Sequence, residues 1–210
     1  VDLVTRNGHQ QNHNITFSSG TENLKSFISL TYFNEEGVFK RDNMNRYSLR
    51  MNIDYNVNKW LKAGVNSQIT YTETNNLPTD DSNNAFGSML TNAMSIVPLG
   101  TPYNEDGSIN PYPVPEDESN ISILADEIPG AYKQRVNNTK LYINPYIEIR
   151  PVKGLSVLSR LNGTLNTAKT GLFRGTGSFN YYQNKVTEAS IRNRKNYNYM
   201  WENIATYNLE

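Results

Sequence analysis

Residues 46–57, with the sequence RYSLRMNIDYNV, alternate polar and apolar side chains without a break. Neighbouring side chains of a β-strand point to opposite faces, so one face is apolar and the other carries charges. After a short turn, residues 61–72 return to a similar alternation. Two such strands, each long enough to cross a bilayer at a tilt, predict the wall of an outer-membrane β-barrel.

The composition fits a sheet with a single apolar face. The chain has 210 residues, of which 37% are hydrophobic, and its formal net charge is zero. A soluble core normally needs about 45–50% apolar residues, whereas a water-filled barrel needs them only on its outside. Zero net charge gives no general attraction to nucleic acid, so none is expected as a partner. The chain has no cysteine, which excludes disulfides and thiolate chemistry.

The same alternation extends along the chain and predicts an all-β fold. Seven strands are expected, at residues 9–18, 24–33, 46–57, 61–72, 139–150, 155–166 and 197–209. Pro145 removes one ladder amide, which predicts a bulge or a locally unpaired edge. The expected architecture is an open, curved antiparallel sheet that forms part of a large transmembrane β-barrel.

The connections between these strands alternate in length. Short turns are expected at residues 19–23, 57–59 and 151–154, and long connections at 34–45, 75–138 and 167–196. This is the polarity of an outer-membrane barrel, with long loops on the extracellular side. Residues 1–210 are therefore interpreted as one barrel segment, in which residues 75–138 form a long extracellular loop. A plug domain and further strands are expected outside this chain.

The polar faces supply the candidate functional residues. An arginine exposed to lipid at the bilayer midplane costs a few kcal/mol, so the charged face is expected to line the lumen. The lumen-facing candidates are Arg46, Arg50, Asn52, Asp54, Asn66, Gln68, Asn144, Tyr146, Glu148 and Arg160. For each of them, contact with a plug is favoured over contact with cargo. Aromatic belts at the membrane interfaces are predicted at Tyr47, Tyr55, Trp60, Tyr71 and Tyr199.

No residue pattern predicts catalysis, a cofactor or a metal centre. His9 and His13 would lie roughly 13 Å apart on a strand, too far apart to share an ion. The acidic run 116–118 lacks the ligand spacing of a calcium loop. The sequence therefore predicts a protein that is not an enzyme.

A string of short motifs in order resembles the SusC/RagA family of TonB-dependent transporters from Bacteroidota outer membranes. The matching pieces are residues 6–8 (RNG), 11–14 (QNHN), 18–20 (SSG), 32–37 (YFNEEG), 46–54 (RYSLRMNID), 59–66 (KWLKAGVN) and 201–203 (WEN). Ser19 stands where the family often has a second glycine. The resemblance implies a plugged barrel of about 22 strands that imports an oligosaccharide or peptide. It also implies a SusD-like surface lipoprotein as a cap and TonB as the energy source, reached through an N-terminal segment.

A soluble β-sandwich remains the alternative. It would be a carbohydrate-binding module that stacks Tyr181, Tyr182 or Trp201 on sugars. It predicts that the apolar side chains of residues 49–53 are buried against a second sheet.

Overall fold

The computed structural model describes residues 2–75 and 100–209, and these form a single antiparallel sheet of seven strands in chain order. The strands are β1 His9–Gly20, β2 Leu24–Glu36, β3 Asn43–Asn56, β4 Leu61–Asn75, β5 Tyr132–Val152, β6 Leu155–Arg174 and β7 Glu188–Tyr207. The connections add a 3-10 helix, Ile123–Glu127, and a short helix α1, Phe179–Asn184. The predicted all-β fold with seven strands is confirmed. No described helix has the length and hydropathy needed to cross a membrane.

The last three strands are much longer than the sequence pattern predicts. Strands β5, β6 and β7 have 21, 20 and 20 residues. The long connections predicted at 34–45, 75–138 and 167–196 are therefore wrong in their bounds, because residues 34–36, 43–45, 132–138, 167–174 and 188–196 belong to strands. Polar residues occupy both faces of the last three of these segments, so their sequences show no alternation of polar and apolar residues. Their backbone N–H and C=O groups still pair with the neighbouring strands. Residues 76–99 of the predicted loop lie outside the described residues.

The short turns occur where the sequence predicts them, and side-chain acceptors hold two of them. Thr21 Oγ1 accepts from the Leu24 amide at 3.0 Å, and Asn58 Oδ1 accepts from the Leu61 amide at 2.9 Å. Gly154 adopts φ = 82° in the third turn, a backbone conformation that favours glycine. Because the strands are antiparallel neighbours in chain order, the turns β1–β2, β3–β4 and β5–β6 all lie at one end of the sheet, opposite the longer connections.

Pro145 interrupts pairing on one side only. It pairs with Val65 of β4, whereas no partner on β6 is assigned to it or to Asn144. The side-chain amide of Asn144 donates to the Leu161 carbonyl at 3.5 Å, close to where the missing proline amide would have donated. The predicted locally unpaired edge is thus confirmed, and the change of register in β5 lies further along, between Ile149 and Val152.

Apolar side chains on one face of the sheet remain uncovered. Leu49 of β3 is 38% exposed, and Ile147 of β5, two strands away in the order, is 49% exposed. No second sheet is present among residues 2–75 and 100–209. The β-sandwich alternative requires such a second layer, and it is therefore wrong.

The buried core lies at the long-loop end, where the connections pack together. Val4, Ile123, Leu124 and Tyr132 form its centre. Partly buried side chains from both sheet and loops surround it: Phe39, Ile109, Leu172 and Phe179. We call this group the loop cluster.

A buried carboxylate joins two parts of the loop cluster. Asp126 is only 5% exposed, and its Oδ1 accepts from the Phe179 amide at the start of α1, at 2.9 Å. Desolvation raises the pKa of Asp126, while that hydrogen bond and the charge of Arg41 act in the opposite direction. The ion pair between Arg41 and Glu127, at 2.9 Å, ties the β2–β3 connection to the same region.

A glycine in β4 makes room for an aromatic ring from β5. Gly64 faces Tyr146 across the ladder, and a Cβ at Gly64 would come within 2.6 Å of the ring carbon Cζ. Gly171 of β6 has open space where its Cβ would be. The two glycines are therefore a matched pair, one required by packing and one not.

We expect Gly64→Ala to destabilise the folded barrel by about 1–3 kcal/mol, because Tyr146 must move out of its position. Gly171→Ala is the control, and its effect should stay within about 0.5 kcal/mol or be slightly stabilising. Urea titration of the full-length protein in detergent measures both free energies of unfolding. Equal effects from the two variants would contradict this packing role.

Titration of Asp126 should make the loop cluster pH-dependent. A raised folded-state pKa means that its stabilising contribution is complete below the ordinary aspartate pKa. That contribution is lost as the pH rises through the raised value. Hydrogen exchange at the Leu124 and Ala125 amides, corrected for intrinsic rates, should therefore show protection that falls over this interval.

Asp126→Asn should flatten this dependence, because the asparagine oxygen still accepts from the Phe179 amide but does not titrate. Asp106→Asn is the control, since Asp106 lies in a different, exposed turn, and it should leave the wild-type profile unchanged. Protection that rises with pH over the same interval would refute the assignment.

Candidate functional site: the polar face of the sheet

The ladder register brings every lumen-facing candidate to one face. Across β3, β4, β5 and β6, Asp54 faces Gly64, Gly64 faces Tyr146, and Tyr146 faces Arg160. One row towards the long-loop end, Asn52 faces Asn66, which faces Asn144. The same face carries Arg46, Arg50, Gln68 and Glu148, and we call it the polar face.

Charges on the turn-side half of the polar face are paired. Arg160 Nε lies 2.5 Å from Glu202 Oε2, and Asn162 donates to the same carboxylate oxygen at 3.1 Å. Arg150 Nε lies 2.8 Å from Glu148 Oε1. Each charge in these pairs thus has a partner on its own strand or on the next one.

A second group spans three strands in the same half. Tyr146 reaches over Gly64 and donates its hydroxyl to Asp54 Oδ1. Lys62 Nζ lies 3.4 Å from Asp54 Oδ2 and 5.5 Å from the centre of the Tyr146 ring. The absence of a side chain at Gly64 allows this contact between β3 and β5.

Asn144 is the most enclosed of the lumen-facing candidates. It is 7% exposed, and its amide donates both to the Asn162 side chain and to the Leu161 carbonyl. Its role in this geometry is to join β5 to β6 beside Pro145. The same contacts leave little of Asn144 accessible to a ligand.

Sequence reasoning missed Glu202 and Asn162 as members of this network. Both fall on polar positions of alternating strands, so the parity of the pattern could have placed them on this face. Their ion-pair and hydrogen-bond partners depend on the register between β6 and β7, which no sequence pattern states.

The opposite face carries four of the five predicted aromatic residues, and we call it the apolar face: Tyr47, Tyr55, Tyr71 and Tyr199. Tyr32, Tyr47 and Tyr71 form a row across β2, β3 and β4, with ring centres 5.1 and 6.4 Å apart. His13 of β1 continues the row at 6.3 Å from Tyr32. Beyond this row towards the loops, the same face becomes polar, with Asn45 facing Glu73.

The remaining aromatic candidates lie at different heights of the sheet. Tyr55 and Trp60 lie near the short turns, and Tyr199 lies on β7 facing Gly163. These three side chains are 46%, 51% and 79% exposed. Tyr55 thus bounds the apolar face at the end opposite the tyrosine row, and Trp60 lies beyond it in the β3–β4 turn.

A smaller aromatic group lies in the loops. The rings of Tyr112 and Tyr182 meet edge to face at 5.4 Å, and Tyr181 lies 6.1 Å from Tyr182. Lys185 Nζ donates to the Tyr112 hydroxyl at 3.1 Å, and this hydrogen bond raises the pKa of Lys185. Lys185 therefore remains a cation beside these rings.

Neither sequence motif considered for metal binding assembles into a site. His13 stacks on Tyr32, and Asp117 accepts hydrogen bonds from its neighbours Ser119 and Asn120. Within residues 2–75 and 100–209, no group of three or more potential ligand side chains could hold a metal ion.

Comparison with known proteins points in one direction. No family model matches the chain. Two TonB-dependent receptors of Formosa agariphila, P26 and P3, are 26% and 25% identical to it over 221 and 209 aligned residues. These alignments include 100% and 99% of this chain but 20% of each receptor, so the chain spans about a fifth of its curated relatives.

Solved structures agree in fold. The RagAB peptide importer in its closed-closed state matches the whole chain with a TM-score of 0.79 and 18% identity, over 23% of the matched chain. Its open-open state matches 98% of the chain with a TM-score of 0.77 and 17% identity, over 22% of the matched chain. The resemblance predicted from the short motifs is confirmed: this chain is similar in sequence to TonB-dependent receptors and has the fold of a β-barrel segment of the RagAB peptide importer.

Proposed function

We propose that this chain forms part of the barrel wall of a TonB-dependent importer for oligosaccharides or peptides. The observation that carries the proposal is the contrast between the two faces of a single sheet. One face is apolar, exposed and bounded by aromatic side chains. The other face carries ion pairs and hydrogen-bonded polar groups.

The apolar face has nearly the height of a membrane band. Tyr47 and Tyr55 lie eight residues apart on β3, a distance of about 26 Å along an extended strand, or roughly 20 Å along the membrane normal when the strand tilts by about 40°. Outer-membrane barrels present an apolar band about 25 Å tall between aromatic girdles. Tyr47 and Tyr71 are thus proposed to lie at the outer interface, and Tyr55 and Trp60 at the inner one.

The polar face is accordingly proposed to line the lumen. Ion pairs such as Arg160–Glu202 need water or protein around them, because a charge placed in lipid costs several kcal/mol. The longer connections are then proposed to lie on the extracellular side, and residues 100–131 are the described part of the one between β4 and β5. The whole segment is proposed to serve transport rather than catalysis, as the names of its relatives suggest.

Cargo and partners are proposed by analogy with the similar proteins. The RagAB neighbours are described as peptide importers, which favours peptide cargo, while the SusC-like resemblance also allows oligosaccharides. A SusD-like surface lipoprotein is proposed to cap the loop end. TonB is proposed to act through a segment of the whole protein that lies outside this chain.

A charge placed on each face tests the membrane orientation. Met51 and Asn52 are neighbours in β3 on opposite faces, near the middle of the apolar band. Met51→Arg should cost about 2–4 kcal/mol of folding free energy in phospholipid vesicles, since the new charge would face hydrocarbon. Asn52→Arg is the matched control and should change it much less. A larger cost for Asn52→Arg would reverse the proposed orientation.

Energy-dependent uptake tests the importer itself. Cells that carry the full-length protein should accumulate labelled oligosaccharide or peptide from a growth substrate only when TonB and the proton-motive force are present. Deletion of TonB is the control for passive leakage. Uptake that persists without TonB, or the absence of energised uptake of any such substrate, would contradict the proposal.

A further inference from the structure

Charge is distributed unevenly along the polar face. Towards the short turns, acids and bases alternate and pair, as described for Arg160–Glu202 and Arg150–Glu148. In the next rows towards the long loops, those of residues 44–50 of β3, the face is basic. Its cations there are Arg46, Arg50, Lys140, Arg192 and Arg194, and Glu35 is the acid of the same rows among the described residues.

Three of these cations line one depression in the sheet, with a volume of about 700 Å³. Arg46, Arg50 and Lys140 share it with side chains from β2 to β5. Most of the others are neutral hydrogen-bonding groups: Ser29, Thr31, Ser48, Gln68, Thr70, Thr72, Thr74 and Asn138. No described lining residue is an acid, so no charge among the described residues of the lining compensates its three cations. We call it the basic depression.

Aromatic rings support the two arginines without neutralising them. The Arg46 guanidinium lies 4.6 Å from the centre of the Phe33 ring, and that of Arg50 lies 6.0 Å from Phe27. A ring face attracts the cation and steadies it, yet it uses none of the guanidinium N–H donors in a hydrogen bond to oxygen. Within the described part of the chain, neither arginine forms an ion pair. The described residues therefore accept no hydrogen bond from either guanidinium, and an acceptor from the cargo can use these donors.

The spacing of the cations suits a ligand with more than one acidic group. Arg46 and Arg50 are four residues apart on β3, about 13 Å along the strand. Lys140 lies in the row between them, because Ser48 faces Thr70 and Thr70 faces Lys140. Two strand spacings separate Ser48 from Lys140, about 10 Å. One acidic group cannot reach all three cations, whereas an extended chain with repeated acidic groups can.

The loop cluster bounds this surface on one side. Tyr132 and Leu172 extend from the same face of β5 and β6 and pack into the loop cluster. The basic depression lies between that cluster and the paired charges nearer the turns. It therefore lies on the side of the polar face that incoming cargo would reach first in the orientation proposed above.

We propose that the basic depression recognises acidic groups of the cargo, so that the importer selects anionic oligosaccharides or acidic peptides over neutral ones. This inference rests on the proposed importer function and adds the chemical class of its cargo. Guanidinium and ammonium donors bind carboxylates and sulfates by charge-assisted hydrogen bonds. The hydroxyl-rich lining accommodates the rest of a polar ligand, and like-charged cations repel a basic one.

The test uses full-length transporter and two matched pairs of probes. One pair is an oligogalacturonate and its methyl ester, and the other is a glutamate-rich peptide and its glutamine counterpart. Mixtures of each pair are incubated with the purified protein, and bound material is quantified by mass spectrometry. The acidic member of at least one pair should be enriched about tenfold or more. That factor corresponds to one retained charge-assisted hydrogen bond.

Substitution should remove the preference. The triple variant Arg46→Gln, Arg50→Gln and Lys140→Gln should bind acidic and neutral members alike. Arg150→Gln is the control, since it removes a cation of the polar face that lies outside the basic depression. Its acidic enrichment should match that of the wild type. Thermal melting of each variant shows whether the barrel remains folded.

Three results would overturn the inference. The first is equal binding of both members of each pair by the wild type, and the second is the retention of no acidic probe. The third is a triple variant that melts at a lower temperature yet keeps the wild-type preference, which would assign these cations to contact with a plug.

Energised uptake of neutral substrates alone would reject the acidic cargo and leave the importer proposal intact. Loss of all energised uptake in the wild type would reject the importer proposal itself.

Discussion

Backbone hydrogen bonds between neighbouring strands fix the register, and the register decides which side chains share a face. Because each ladder is antiparallel and nearly continuous, the row that begins at Asp54 runs through Gly64, Tyr146 and Arg160 to Glu202. A slip of one residue would move every apolar side chain of a strand to the opposite face. The separation of charged from apolar side chains thus depends on a fixed register between neighbouring strands, which lie roughly 4.8 Å apart.

Two regions of the structure are stabilised by different interactions, the sheet by cross-strand polar contacts and the loop end by burial of apolar side chains. In the sheet, cross-strand hydrogen bonds and ion pairs hold the polar face, while the apolar face stays exposed. At the loop end, Val4, Ile123 and Leu124 form a small dry core of the soluble type. An apolar face needs no protein layer where hydrocarbon covers it, whereas loops in water must bury their own apolar side chains.

Small departures from a regular sheet connect these regions to the polar face. Gly64 makes room for Tyr146, which then reaches Asp54 two strands away. Pro145 breaks the pairing with β6, and Asn144 supplies donors at that position. Both sites lie in the half where charges are paired. The basic depression, by contrast, lies in a regular part of the ladder between β2 and β5.

The sequence by itself determined the number of strands, the short turns and the shared face of the lumen-facing candidates. Alternation of the kind seen in residues 46–57 assigns every side chain to one face, because neighbouring side chains of a strand point to opposite faces. The same reasoning could not find the outer lengths of β5, β6 and β7. Residues 132–138 and 188–196 carry polar side chains on both faces, so no alternation of polar and apolar residues marks them as strands.

Only the tertiary structure decided which charges are paired and which are not. Arg160 and Arg46 look alike in the sequence, since each is a polar residue in an alternating strand. The register places a carboxylate beside Arg160 and an aromatic ring beside Arg46. These partners lie 42 and 13 residues away along the chain. Contacts between distant segments depend on strand order and register, which local patterns of hydrophobicity do not encode.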